Sequence, residues 1–461
     1  MTTASNPPSA ESTGGVPASL VDSECCPSGF AARQFATSLV QAVLVNGRGL
    51  DDAIAHAVER EARLAARDRA FARLIAATVL RRCGQLEKTL GAFIERPLPA
   101  ERGRLTPILL VAAAQLLFLG TPAHAVINLA VEQCRRDRRA RRFDRLVNAV
   151  LRRVSEQGPK IMAGQDAVRL NIPDWLLTSW VRAYGEDVAR AIGEASLAEA
   201  ALDVTVKGEP ELWAARLGGR LLPMGSVRLR ARGRIEDLPG YAEGAWWVQD
   251  AAAALAGQLF GPVRGWRIAD LCAAPGGKTA ELAVQGADVT AVDISQQRLA
   301  RLTANLARLQ LRADIVEADA CLWAPGVKFD AVMLDAPCTA TGTIRRHPDI
   351  LRLKRPGDVA KLADLQARLL RNAAGLVKRG GLLVYCVCSL EPEEGPGQME
   401  RFLAAAPEFA RVPIRPDEIG ATAEWLTAAG DLQTFPFHLP LEPPELSGLD
   451  GFYAARLRRL S

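Results

Sequence analysis

From residue 31 to about residue 154, apolar side chains recur at three- and four-residue spacing, the period of helices that keep one face against a core. Segments 35–45, 68–83, 105–119, 122–136 and 143–154 each carry it, with short polar or Pro/Gly breaks between them. They predict an all-α domain of five to seven helices. Residues 155–240 are mixed. Pro173 opens a helix holding Trp175 and Trp180, and strand-like stretches follow at 202–207 and 226–229, which reads as a small α/β connector. From Trp246 the period alternates: apolar β-runs at 267–271, 287–293, 313–319, 329–335 and 381–388 are separated by amphipathic segments at 279–285, 296–310 and 361–378. That alternation predicts a mostly parallel sheet covered by helices on both faces. A further strand, at 450–458, is expected as an antiparallel edge. The expected division is a tail over 1–29, a helical domain over 30–155, a connector over 156–240 and a catalytic domain over 241–461.

Composition narrows this picture in three places. The first 29 residues are rich in Ser, Pro, Gly and Thr and lack both a basic and an apolar stretch, so they read as a disordered tail and not a signal peptide. The longest apolar run, 108–119, is too short to cross a bilayer and is expected as a buried helix. Nine cysteines, scattered without a repeating spacing and accompanied by only four histidines, argue against a disulfide framework and a structural metal. They point to a reducing, cytoplasmic setting, with no membrane partner, and a monomer is expected. Net charge, +5, decides little; its distribution says more. Residues 135–142 read Arg-Arg-Asp-Arg-Arg-Ala-Arg-Arg, followed by Arg145, Arg152 and Arg153. A solvated helix face normally intersperses Glu among its basic residues, and here acids are sparse, so a phosphate-contacting surface is as good a reading as a solvated one.

The first strand of the alternating region ends in Asp270-Leu271-Cys272-Ala273-Ala274-Pro275-Gly276-Gly277-Lys278-Thr279. Small residues and two glycines let backbone approach a ligand closely before a helix begins. A phosphate-cradling P-loop would need Gly where Cys272 stands, and the Gly-x-Gly-x-x-Gly dinucleotide fingerprint is absent. A methyltransferase needs a glycine-containing turn and then an acid closing the second strand for the ribose hydroxyls. Asp293 fits that position, and Asp319, closing the third strand, fits the adenine amino group.

The fourth strand ends in Asp335-Ala336-Pro337-Cys338 and the fifth in Cys386-Val387-Cys388-Ser389. A lone cysteine is most often core filler; two at neighbouring strand ends beside an aspartate fit a specific chemistry. Cytosine C5 is a poor nucleophile. A thiolate adding at C6 activates it, a carboxyl group at N3 promotes the addition, and the thiol is eliminated after methylation. Amino-group methylation needs no thiol and typically uses an Asn/Asp-Pro-Pro-aromatic turn. Positive charge lowers a thiol pKa, and Lys278, Arg345 and a cationic cofactor are candidates for it. Cys386 and Cys388 alternate along the strand and share a face, so a Cys-x-Cys redox pair is the bland rival.

Residues 245–461 resemble the Sun-type family of RNA cytosine-5 methyltransferases. The resemblance rests on Cys272 to Thr279, Val292-Asp293, Asp335 to Cys338, Ala340-Thr341-Gly342, Arg345-Arg346-His347-Pro348-Asp349, and Cys388-Ser389 with Pro392-Glu393-Glu394. Residues 31–154 resemble NusB, an RNA-binding fold. The resemblance implies a Rossmann-like methyltransferase domain with a mostly parallel seven-stranded sheet, preceded by a NusB-like domain. It implies Cys388 as nucleophile, Cys338 assisting product release, and Asp335 contacting the cytosine near the methyl donor, with Lys278 counted among the catalytic residues. S-adenosylmethionine would be held by Cys272, Ala273, Ala274, Pro275, Gly276, Gly277, Lys278, Asp293, Asp319 and Asp335. The implied substrate is 16S rRNA and the product 5-methylcytosine. Val387 departs from the family's usual Thr, Thr339 from its frequent Ser, Glu317 from a small residue, and Cys386 is an uncommon neighbour. The same chemistry on tRNA and a non-catalytic RNA-binding or assembly factor are the alternatives.

Overall fold

The computed structural model describes residues 29–60, 64–230 and 234–461. The expected tail, with Cys25 and Cys26, lies outside these residues apart from Gly29. Seven helices of five or more residues build the first domain: α1 (Phe30–Leu44), α2 (Leu50–Arg60), α3 (Ala66–Arg81), α4 (Cys83–Gly91), α5 (Leu105–Leu117), α6 (Ala123–Arg136) and α7 (Asp144–Ala163). The periodic segments anticipate five of them. α4 is hidden by its Cys83-Gly84 start, and Gly84 is there for contact: a Cβ on it would stand 1.7 Å from the Leu170 carbonyl oxygen. α5 is apolar on every side, and a helix of that kind belongs inside; Leu105 and Leu110 are fully buried in the domain's core, as expected of the 108–119 run.

Helices Ala167–Asn171, Asp174–Tyr184 and Glu186–Ser196 follow, and then a four-stranded antiparallel sheet. Its order is Arg220–Leu221, Val227–Leu229, Leu202–Val206, Trp246–Val248. The last of these strands leads directly into helix Ala251–Gln258 of the catalytic region, so the two sheets are joined without a linker.

The large sheet comprises β1 (Arg267–Leu271), β2 (Asp288–Asp293), β3 (Asp314–Glu317), β4 (Phe329–Asp335), β5 (Val377–Val387), β6 (Phe409–Arg411), β7 (Leu432–Thr434) and β8 (Phe452–Arg459). Seven strands run in the order β6-β8-β5-β4-β1-β2-β3, and the short β7 pairs with β8. The five from β5 to β3 are parallel, and β8 is antiparallel to β5 and β6. The strand expected at 450–458 is thus present but is no edge. Its Phe452 to Ala455 run is buried on both faces, Phe452 and Ala454 in one core and Tyr453 and Ala455 in the other, and the edge falls to β6. Helix Ala251–Gln258 covers one face of the sheet and Pro356–Leu376 the other. Successive strands step outward from β1 through β2 to β3, and then the chain returns to place β4 on the far side of β1. That reversal opens a crevice at the carboxyl ends of β1 and β4, where open α/β sheets bind their ligands.

Candidate active site

The turn after β1 is built for close approach. Cys272 adopts φ 60° and Gly276 φ 102°, and a Cβ on Gly276 would stand 2.8 Å from Leu302 Cγ. Helix Gly277–Val284 begins there. Inside the turn, Thr279 Oγ1 donates to Asp270 Oδ2 at 2.6 Å, and burial pushes the Asp270 carboxyl up to about 7. Asp293, closing β2, is buried. It accepts from the amides of Ala274 (3.2 Å) and Ser295 (2.9 Å) and pairs with the half-exposed Arg298 at 2.8 Å. It therefore ties the end of β2 to the β1 turn. Asp319 accepts from the Cys321 amide at 2.9 Å.

These groups wall one cavity of about 400 Å³, bounded by Cys272, Asp293, Ile294, Asp319, Asp335 and Cys388. Its size is that of a cofactor pocket. Ile294, 64 % exposed and apolar, supplies the surface an adenine ring would cover, so the residues present fit S-adenosylmethionine. The sequence alone gives Ile294 no role; an unpartnered apolar residue directly after the acid that closes β2 is the signal that could have found it.

At the ends of β4 and β5, register pairs Asp335 with Cys386. Lys278 Nζ donates to Asp335 Oδ2 at 2.7 Å, and Cys386 Sγ donates to Asp335 Oδ1 at 3.5 Å. Burial works against the Lys278 ammonium, but the Asp335 carboxylate and the nearby Cys386 and Cys388 hold its pKa above the ordinary lysine value. Cys338 Sγ and Cys388 Sγ lie 3.5 Å apart. The hydrogen bond to Cys388, and then burial, raise the Cys338 thiol. Burial also raises Cys386 and Cys272. Arg345, expected near the thiols, is elsewhere: its guanidinium donates to the carbonyls of Leu449 (3.2 Å) and Ser447 (2.7 Å), fixing the loop before β8.

The loops carrying the two thiols are pinned by Glu394, which is fully buried and to which the sequence motif assigns no role. Its carboxylate accepts from the Thr339 amide (3.0 Å), the Thr339 hydroxyl, Ser389 Oγ (2.6 Å) and Gln366 Nε2 (3.0 Å). Thr339 thus keeps the hydroxyl of the usual Ser, and Val387 is simply core. On the far side, Ser179 and Trp180 donate to Glu391 at 2.7 and 3.1 Å, so the connector helices brace the same loop.

A second cavity, of about 510 Å³, opens on the other side of Asp335 and Cys388. It is lined among others by Lys278, Trp247, Tyr241, His347, Asp450 and Phe452. Asp335 and Cys388 are the two residues common to both cavities. Among the described residues no cluster of His, Cys, Asp and Glu is arranged to hold a metal, and no helix is long and apolar enough to cross a membrane.

A switch-point crevice, an acid closing β2 and a thiol pair beside a second cavity define a Rossmann-like methyltransferase. Residues 258–458 match the family model described as 16S rRNA methyltransferase RsmB/F, and residues 31–156 match the NusB family. The chain is 36 % identical over 408 residues to ribosomal RNA small subunit methyltransferase B of Vibrio cholerae, covering 84 % of this chain and 92 % of that one. It is 34 % identical over 398 residues to the same-named protein of Cronobacter sakazakii, covering 82 % and 90 %. Among solved structures, a methyltransferase homolog protein from Pyrococcus horikoshii superposes with a TM-score of 0.51 at 24 % identity, covering 63 % of this chain and all of that one. The chain belongs to the ribosomal RNA small subunit methyltransferase B family, whose methyl donor is S-adenosylmethionine.

Proposed function

We propose that this chain forms 5-methylcytosine in 16S rRNA through a covalent adduct between Cys388 and cytosine C6. The observation that carries the reading is the shared wall: Asp335 and Cys388 face both a cofactor-sized cavity and a second, partly aromatic one. Cys388, as thiolate, adds to C6, a C–S bond forms, and the ring electrons shift to C5. Asp335, with Lys278 as its proton-bearing partner, hydrogen-bonds the pyrimidine edge and supports that shift. When bound in the first cavity against Cys272, Ala274, Asp293, Asp319 and Asp335, S-adenosylmethionine would supply an activated methyl group, while Ala273 and Pro275 to Lys278 of the same turn line the second cavity. The C5 proton then passes to water in the cleft, the C5–H electron pair restores the C5–C6 double bond, and the C6–S bond breaks with its electrons returning to the Cys388 sulfur, Cys338, 3.5 Å away, assisting release. The cytosine must be unpaired or flipped, because a stacked duplex shields C6 from a side chain. The residues divide as a helical RNA-binding domain over 30–155, a connector over 156–240 and a catalytic domain over 241–461. The relatives' name supports small-subunit rRNA as substrate.

The test mixes Cys338→Ala protein with S-adenosylmethionine and unmodified 16S rRNA and looks for an RNA–protein adduct on denaturing electrophoresis. An adduct that disappears in the Cys338→Ala/Cys388→Ala double variant is expected. Normal methylation by Cys388→Ala protein would remove Cys388 as nucleophile. Adduct and methylation on tRNA alone would replace the substrate, and methylation of neither RNA by the wild type would favour a non-catalytic assembly factor.

A further inference from the structure

The second cavity is walled in part by the loop 345–349, and the helical domain docks on that loop. The Leu50 amide, at the start of α2, donates to Asp349 Oδ2 at 3.0 Å, and Arg81 of α3 donates to the Arg345 carbonyl at 2.9 Å. Asp51, also on α2, lies 3.4 Å from His347 Nδ1. Of these three contacts only the last reaches a side chain that lines the cleft.

An RNA strand entering a cleft brings phosphates, and phosphates need positive charge. The other cations on this wall are engaged. Lys278 is paired with Asp335, while Arg308 donates to the carbonyls of Tyr241 and Trp246 and stacks 4.1 Å over the Tyr241 ring. The His347 side chain is 44 % exposed, and its Nε2 has no protein partner among the described residues. The geometry points to a role: His347, oriented by its contact with Asp51 of the helical domain, contacts a phosphate of the strand that enters the cleft, so the helical domain completes the catalytic domain's substrate site. This rests on the cleft being the RNA side of the proposed reaction.

The charged groups around the imidazole are Asp51 from α2, Asp349, Arg345 and Arg346 in its own loop, and Asp450 from the segment before β8; Arg73 of α3 pairs with Asp51 from behind. The contact with Asp51 raises the His347 pKa above its ordinary 6.5, against the pull of partial burial. A phosphate contact through the imidazolium is therefore present at low pH and disappears as pH rises through that raised value. Without Asp51 it disappears at lower pH.

The experiment measures binding of full-length protein to unmodified 16S rRNA at fixed salt over a pH series spanning neutrality, with methyl transfer followed in parallel. Wild type, Asp51→Asn, His347→Gln and His347→Lys are compared. Asp51→Asn is expected to match wild type at acid pH, to bind about tenfold more weakly near neutrality, and to shift the midpoint of the affinity loss downward. His347→Gln should bind weakly throughout and lose the titration; His347→Lys should bind tightly and also lose it. If Asp51→Asn weakens binding equally at every pH, or if His347→Gln leaves affinity and its pH dependence unchanged, the contact is a domain tether and the inference falls. Binding that follows the expected pattern without methylation of 16S rRNA would overturn the substrate reading and leave the phosphate contact standing.

Discussion

Two sets of arginines in this chain, one an exposed run and one a buried pair, differ in their surroundings and in what their donors engage. At the α6–α7 turn, Arg138, Arg139, Arg141, Arg142 and Arg145 are exposed, and only scattered partners engage the run, such as Asp144 on Arg135 and the Glu101 carbonyl on Arg142. Arg228 and Arg346, by contrast, sit in a buried knot with Asp203, Asp250 and Asp450. Arg228 forms a fork on Asp203 at 2.6 and 2.7 Å and also donates to the carbonyls of Leu446 and Gly448. Arg346 reaches Asp250, Asp450 and the Ala201 carbonyl. The knot joins the small sheet, the helix at 251–258 and the segment leading into β8. Buried arginine here is architecture, since its fork satisfies several acceptors at fixed geometry. Exposed arginine keeps its donors for another molecule.

The comparison can be broken most forcefully at Arg346. Arg346→Ala leaves Asp250 and Asp450 buried without their partner, and a cost of about 3–5 kcal/mol is expected in denaturant unfolding. Burial already raises the Asp450 carboxyl to about 6 with the arginine present. Removing the arginine raises it further, so the deficit should be greatest at pH above that raised value, shrink as pH falls through it and the variant's carboxyl takes up its proton, and level off by about 6. An unfolding curve unchanged by the substitution would reduce the knot to ornament. Arg228→Lys keeps the charge but loses the fork, and a smaller loss, about 1–3 kcal/mol, is expected from the same measurement. At the other pole, replacing Arg138, Arg139, Arg141 and Arg142 with Ala should leave the unfolding midpoint in place. It should flatten the salt dependence of RNA binding by roughly 0.7–0.9 in log–log slope for each phosphate no longer neutralised. An unchanged slope would assign that run to solvent.

The same contrast explains what could be read from the chain and what could not. Periodicity identified β1 and β4 to the residue and most of the large helices, because burial on one or both faces leaves a repeating mark. The motif-bearing strand ends were legible because their chemistry demands particular atoms: the structure brings Lys278, Asp335, Cys338 and Cys388 together. Arg345 was misplaced because a guanidinium's partners are set by tertiary approach, here two carbonyls more than 100 positions away. Glu394 had no assigned role for the same reason. A buried carboxylate binding two loops looks, in a sequence, like any surface acid. The interior position of β8 depended on β6, a three-residue strand too short to leave a period.

The placement of β8 also orders events in time. The strand that leads into Cys388 is flanked on one side by residues 452–459, and Asp450 and Phe452 wall the cleft beside it. During synthesis these are among the last residues of this sequence to emerge, long after the helical domain has had its chance to fold. A partly made chain can therefore fold its helical domain well before it owns a complete second cavity beside Asp335 and Cys388.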